Sequence, residues 1–296
     1  TLFRSFIVGP RLNAAGRLDD MSIGIECLLA ESTVSARERA QTLHQLNRER
    51  RDIEQSMQQD ALLQLESLDL ANEALPFAMT LYDPTWHQGV IGILASRIRE
   101  HTHRPTVVFA QAGDGWLKGS GRSIPGIHLR DMLDLVATRH PGLLSKFGGH
   151  AMAAGLSLPE ERLDEFQGAL NNAIATTLNH QPPQRIQDSD GALRAEELTL
   201  TVAEQVNGAG PWGQQFSEPL FDGDFAVKQH RIVGEKHLKL SLEIDDHEVE
   251  AIAFNIDVAL WLEKPLQRLG ALYRLGINDY RGERSPQLVI DSFWAI

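Results

Sequence analysis

Apolar and polar positions change their period three times along this chain. From Ser32 to about Leu68, apolar residues return at roughly heptad spacing (Leu43, Leu46, Ile53, Met57, Leu65, Leu68), with no Gly or Pro between Glu26 and Leu75. Ser32 or Thr33 can cap the start, so the spacing predicts one helix of about 35 residues, a rod of about 50 Å at 1.5 Å per residue. Its remaining face is polar (Arg48, Glu49, Arg50, Arg51, Asp52), as suits a helix that connects domains rather than filling a core. After Pro76, short apolar runs alternate with helical stretches. Phe77–Tyr82, Thr106–Ala110 and Trp116–Arg122 read as strands, with a turn at Gly113-Asp114-Gly115. Gln88–Glu100, His128–Thr138 and Glu160–Leu178 read as helices, the first with Gly89, Gly92, Ala95 and Ser96 on its inner side. This alternation predicts an α/β domain over 76–180, and Gln181-Pro182-Pro183-Gln184 reads as a linker.

Over 185–296 the period becomes two. Phe225–Val233, His237–Ile244, Val249–Ile256, Leu269–Leu275 and Gln287–Phe293 alternate as five strands would, with turns at Asp245-Asp246-His247 and Arg281-Gly282-Glu283. Five strands of this length predict a small closed barrel of the OB type. No long repeat or low-complexity tract interrupts these regions.

Composition narrows the class. The chain has 296 residues, 42% hydrophobic and 23% charged, as expected of a globular protein with more than one domain. No apolar run approaches the roughly 18 residues needed to cross a bilayer, and no signal peptide opens the chain, so a cytoplasmic, membrane-free protein is expected. Cys27 is the single cysteine, which excludes an internal disulfide framework and a cysteine zinc site. Because the chain begins at Thr1 and Gly9-Pro10 soon interrupts an apolar stretch, it is expected to be a piece of something longer. The net charge of −12 argues against a nucleic-acid partner at first sight, but the charge is unevenly placed. Residues 97–150 hold twice as many Lys and Arg as Asp and Glu, with five of the 11 histidines, and lead directly into Gly148-Gly149-His150. The local field decides where a polyanion sits.

Four segments concentrate the unusual residues. In Gly9-Pro10-Arg11-Leu12-Asn13-Ala14-Ala15-Gly16-Arg17, two arginines flank an asparagine among small residues, so both guanidiniums are expected to reach an anion in one cleft. Trp86-His87-Gln88-Gly89-Val90-Ile91-Gly92 places His87 at a helix start, where backbone N–H groups are unpaired; a satisfied cap is the competing role. Lys118-Gly119-Ser120-Gly121-Arg122-Ser123 offers a hydroxyl, a fork donor and flexible glycines, a second phosphate cradle. Gly148-Gly149-His150-Ala151-Met152-Ala153-Ala154-Gly155 combines paired glycines with an imidazole, and its small residues would let a helix start pack behind the loop. A tight strand-to-helix turn is the plainer alternative. Asp19-Asp20 fits a helix start better than a metal site, His101-Thr102-His103 lacks an accompanying carboxylate cluster, and Asp222-Gly223-Asp224 reads as the opening of a barrel strand.

In this order, the four segments resemble the later motifs of the RecJ family of single-strand-specific 5′→3′ DNA exonucleases, within the DHH phosphoesterase superfamily. The resemblance continues through Gly210-Pro211-Trp212-Gly213 and Glu218-Pro219-Leu220-Phe221 and so covers essentially the whole chain. It implies the end of a DHH region over 1–31, a connecting helix over 32–75, a DHH-associated α/β domain over 76–180 and an OB domain over 185–296. It also implies roles: Ser120 and Arg122 on the 5′-phosphate, Arg11 or Arg17 (with Asn13 between them) on a backbone phosphate, and His87 in the same cleft. His150, with the N–H groups of Gly148 and Gly149, would sit at the scissile phosphate. Lys228, Arg231, Lys236, Lys239 and exposed aromatics of the barrel would track single-stranded DNA, although the barrel carries more acid than base.

The family's metal centre uses an Asp-x-Asp motif, a further aspartate and an Asp-His-His triad, none of which stands here; Asp246-His247 is followed by Glu248. The resemblance therefore implies Mn²⁺ or Mg²⁺ in the full-length enzyme, none bound to this chain, and no activity from the chain alone. Implied partners are single-stranded DNA with a 5′ end and a single-strand-binding protein or helicase, in DNA repair and recombination. Two competing functions are a DHH-type phosphodiesterase acting on oligonucleotides or cyclic dinucleotides, and a non-catalytic module that binds DNA or a protein partner.

Overall fold

The computed structural model describes residues 7–67, 75–213, 216–256, 258–263, 265–280 and 282–296. Leu68 of the helical pattern and Arg281 of the last turn lie outside them. The chain divides into two compact units, Thr1–Arg185 and Ile186–Ile296.

The first unit opens with α1 (Gly9–Leu18) and α2 (Ser22–Leu28), both packed on the long α3 (Thr33–Ser67). Pro10 stands in the first turn of α1, where its missing N–H costs nothing. Ala14 and Ala15 are fully buried, small enough to let α1 approach α3 closely. Ser32 accepts a hydrogen bond from the Ser35 N–H at 3.2 Å and so helps cap α3. Leu43, Met57 and Ala61 are buried while most of the helix is exposed, as its polar composition requires. Toward its C-terminal half, α3 is linked to the next helix by a chain of ion pairs: Arg50 bonds Glu54 at 2.6 Å, and Glu54 meets Arg97 at 3.5 Å.

The α/β part contains β1 (Met79–Tyr82), α4 (Ile91–Thr102), β2 (Thr106–Gln111), β3 (Trp116–Arg122), α5 (Leu129–Arg139), β4 (Lys146–Gly149), β5 (Ala153–Pro159) and α6 (Leu163–Thr177). The sheet order is β1-β2-β3-β5-β4, with β1 and β2 parallel and the other pairs antiparallel. Period-two alternation gives the sheet two apolar faces. Phe109, Leu117, Leu156 and Leu158 pack with Leu133, Phe166, Leu170 and Ile174 of α5 and α6, where the Phe109 and Phe166 rings meet edge-on at 5.4 Å. Met79, Leu81, Val108 and Ala110 face Ile91, Leu94 and Ile98 of α4 and Met57 and Ala61 of α3.

The residues after Gly148-Gly149-His150 start a strand, not the expected helix. Ala154, Leu156 and Leu158 are buried at alternate positions, and that burial against α5 and α6 outweighs the helical preference of the alanines.

The second unit holds α7 (Leu200–Ala209), β6 (Phe221–Val233), β7 (His237–Ile244), β8 (His247–Ala253), α8 (Val258–Glu263), β9 (Arg268–Tyr280) and β10 (Glu283–Ala295). The strands close into a barrel of order β10-β8-β7-β6-β9, in which only the β8–β10 pair is parallel. This is an OB barrel, filled by Phe225, Leu238, Leu240, Leu242, Leu269, Tyr273 and Leu288. Asp245 and Asp246 turn β7 into β8 with φ of 47° and 59°, the left-handed pair that a two-residue hairpin demands.

Candidate functional site

The loop that leads into α4 is held in shape by its own side chains. Asp83 Oδ1 accepts from the Thr85 N–H (2.8 Å) and hydroxyl (2.5 Å), which shapes the loop, and buried Trp86 anchors it in the core. His87 Nδ1 accepts the Gly89 N–H at 3.0 Å, which fixes the proton on Nε2 of the neutral ring and leaves that edge outward. His87 thus satisfies the Gly89 N–H in the turn before α4 and is itself exposed. The helix itself has no side-chain cap and no acidic residue in its first turn. The positive end of its dipole is left for an external charge.

Four polar side chains stand around that end: His87, Arg17, Ser120 and Arg122. Arg17, at the close of α1, donates to the Gly89 carbonyl at 3.3 Å. The two segments are in contact there: a Cβ on Gly89 would lie 2.0 Å from the Arg17 carbonyl oxygen, so only glycine fits. Gly92 plays the same part against β3, since its Cβ would lie 2.9 Å from Arg122 Nη2 and 3.0 Å from Ser120 Oγ. Arg122 donates to Ser120 Oγ (3.2 Å) and to the Gly121 carbonyl (2.7 Å). Burial holds the Arg122 pKa below the usual arginine value, and the guanidiniums of Arg17 and Arg99 push it further the same way. Among the described residues neither Arg17 nor Arg122 has a carboxylate partner in an ion pair. Arg17 and Arg122 thus converge without an ion-pair partner, with Asp19 at the rim of the same groove. The adjoining groove of about 600 Å³ is lined by Arg17, His87, Gly89 and Lys118, among others.

Replacing Gly89 with alanine forces the end of α1 off α4. A loss of about 1–3 kcal/mol in stability is expected, the usual range for overpacking, and a thermal or urea melt reads it. An unchanged melt would mean that Arg17 is not locked there.

The remaining predicted residues divide. Gly148 and Gly149 close β4, the edge strand, and His150 begins the hairpin to β5 by donating its N–H to the Ala153 carbonyl at 2.8 Å. The expected helix-start cradle is therefore replaced by a hairpin tip in which the His150 N–H is already used. Gly149 has φ +145°, and a Cβ there would lie 2.4 Å from the Ala153 carbonyl oxygen. The tip is tied at two further points, Ser123 N–H to the Met152 carbonyl (3.0 Å) and Leu129 N–H to the Ala151 carbonyl (2.9 Å). His150 itself is exposed. Register sets it in one row with Arg122, with Ala153 of β5 between them.

Arg11 is not brought to this groove. Segment 9–18 is helical, and Arg11 turns to α3, with its Nε 3.3 Å from His44 Nδ1 and its Nη1 2.5 Å from the Ile7 carbonyl. Asn13 is exposed on the same helix. In the barrel, Lys228 is bonded to Glu243 at 2.8 Å, which raises its pKa, and Lys239 is bonded to Glu250. Arg231 and Lys236 are exposed and outside the observed ion pairs; Arg231 shares a pocket of about 260 Å³ with Lys239. Phe254 (52% exposed) stands edge-on to His237 at 5.1 Å, and Trp294 (46% exposed) lies over Gly270. Gly92, Arg99 and Gly155 escape the sequence reading as site residues. Period-two alternation in Lys118-Gly119-Ser120-Gly121-Arg122 is the available signal for the polar face.

Among the described residues no cluster of three or more His, Cys, Asp or Glu is disposed to hold a metal ion. Mn²⁺ and Mg²⁺ favour oxygen ligands, and the donors gathered at α4 are cationic or neutral nitrogens and a hydroxyl, which do not fit such an ion.

A DHHA1 domain family matches residues 75–176, and the RecJ OB domain family matches 189–292. The single-stranded-DNA-specific exonuclease RecJ of Dickeya dadantii (strain 3937) is 51% identical over 293 residues, 98% of this chain and 51% of that protein. The chain belongs to the RecJ family. RecJ of Escherichia coli (strain K12) is 50% identical over the same shares. The crystal structure of RecJ from Thermus thermophilus in complex with Mn²⁺ superposes with a TM-score of 0.81 at 27% identity, covering 100% of this chain and 42% of that one. This RecJ-family chain spans about half the length of the curated relatives it matches.

Proposed function

We propose that the chain is the part of a single-stranded-DNA-specific 5′→3′ exonuclease that receives the 5′ end of the strand. The observation that carries this is the convergence of Arg17, Ser120 and Arg122 on the uncapped start of α4 with no carboxylate among them. The names of its RecJ relatives supply the reaction. The α4 dipole and the two guanidiniums favour a dianion, so a terminal phosphomonoester is bound in preference to an internal diester. Beside it, His150 would donate to the phosphate undergoing cleavage and stabilise the charge that develops there. In the full-length enzyme, bound Mn²⁺ or Mg²⁺ would activate the attacking water, and no step of that kind is assigned to residues of this chain. We further place the parent in cytoplasmic DNA repair and recombination, beside a single-strand-binding protein or helicase. The exposed Arg231 and Lys236, with Phe254 and Trp294, are the barrel groups we assign to the strand, because Lys228 and Lys239 already have carboxylate partners.

A titration of this chain at low salt tests the proposal. Single-stranded DNA with a 5′-phosphate is expected to bind weakly but better than its 5′-hydroxyl counterpart or duplex, and to survive incubation with Mn²⁺ or Mg²⁺. Degradation by a rigorously pure sample would overturn the division of labour; equal binding of duplex would overturn strand selectivity.

A further inference from the structure

The sheet register sets three rows of residues on the face that α4 covers only in part. Across β3, β5 and β4 they are Arg122, Ala153 and His150; Ser120, Gly155 and Gly148; and Lys118, Ser157 and Lys146. The opposite face is the apolar one: Cβ atoms on Gly119 and Gly121 would meet Phe109, Leu156 and Leu129. The middle strand thus contributes only Ala153, Gly155 and Ser157 to the polar face, and the flanking strands contribute Arg122, Lys118 and Lys146 at three corners and the imidazole of His150 at the fourth. The floor is open. A Cβ on Gly148 would meet nothing within 4 Å, and one on Gly155 only the Gly119 carbonyl oxygen at 3.9 Å.

Strands lie about 4.8 Å apart and rise about 3.3 Å per residue, so Lys118 and Lys146 stand about 9.5 Å apart across β5 and about 13 Å from the Arg122–His150 row. Both lysines are exposed, and neither takes part in the ion pairs found among the described residues. That contrasts with Lys228 and Lys239 of the barrel, where the same residue type is neutralised by Glu243 and Glu250.

We infer that Lys118 and Lys146 together hold a second phosphate of the bound single strand, above Ser157 and across the glycine floor from Arg122 and His150. The inference rests on the strand-binding function proposed above and deepens it. Two flexible ammonium groups act on that phosphate as point charges, independent of base identity. The Arg122 row selects the end; the lysine row adds affinity for the chain that follows.

The test is a salt titration of oligo(dT) binding to this chain, comparing wild type with the double variant Lys118→Gln, Lys146→Gln. Both side chains are exposed, so the variant is expected to melt as wild type does. The slope of log Kd against log salt is expected to fall by about 0.7, the value for one single-strand phosphate contact. The single variant Lys146→Gln, whose side chain lies outside the groove shared by Arg17, His87 and Lys118, is expected to leave thymidine 5′-monophosphate binding and the preference for a 5′-phosphate unchanged, and Lys→Arg at both positions to restore the slope. An unchanged slope would overturn the lysine assignment alone. An equal loss on the mononucleotide in Lys146→Gln would overturn it by placing that lysine in the end pocket. Failure of wild type to bind oligo(dT) at low salt would overturn the strand-binding function together with it.

Discussion

Replacing His150 with alanine in the full-length RecJ-family protein is expected to lower kcat by about 10²–10³-fold, the usual effect of removing one preorganised donor from a developing charge. DNA affinity should change little. The physical case lies in how the hairpin is held. The His150 backbone is committed to Ala153, the tip is bonded to Ser123 and Leu129, and Gly149 occupies a conformation and a space that exclude any Cβ. The backbone is fixed while the imidazole is exposed with no side-chain partner among the observed hydrogen bonds. Such a group is placed for a ligand and contributes little to folding, so the variant should melt like wild type. Single-turnover and steady-state kinetics separate the two effects. A rise in KM at constant kcat would reassign His150 to strand binding.

Replacing Arg122 with alanine is expected to abolish most of the preference for a 5′-phosphorylated end. A hydrogen bond to a charged group contributes about 1.5–3 kcal/mol, and at 1.4 kcal/mol per decade this corresponds to about 10–100-fold in kcat/KM on the phosphorylated substrate. A 5′-hydroxyl substrate should lose far less. Lysine is expected to restore only part of the effect, because it replaces a planar fork with a point charge. The variant should also be at least as stable as wild type in the absence of DNA. Removing Arg122 takes away a half-buried charge and its repulsion with Arg17 and Arg99, of which Arg99 is paired with Glu100. Equal losses on both substrates would show that Arg122 does not read the end.

Much of this is legible in the sequence where the period of apolar residues is long or clean. Heptad spacing predicts the connecting helix from Ser32 to Leu68, and it is found over Thr33–Ser67; the Trp116–Arg122 strand has its predicted bounds. The barrel follows from alternation, although its strands run longer at both ends in β9 and β10. Ala153–Pro159 escapes because alanine, glycine and serine carry no strand preference, and only tertiary burial of Ala154, Leu156 and Leu158 makes it a strand. The pairing of Arg11 with Arg17 fails for a geometric reason. Six residues along a helix turn the chain through about 600°, which sets the two side chains on different sides. The glycine floor and the ion pairs of Lys228 and Lys239 depend on which strands become neighbours, and no local pattern encodes that.

The arginines around α4 have one further consequence. Guanidiniums keep their charge across the whole accessible pH range, so the arginine side of the proposed end site does not titrate there. The ligand does. A phosphomonoester dianion takes up one proton near pH 6, and below that it carries the same single negative charge as every internal linkage. Recognition of ends is therefore set by the protonation of the DNA, and acidification should blur the distinction between terminus and interior without discharging the arginines.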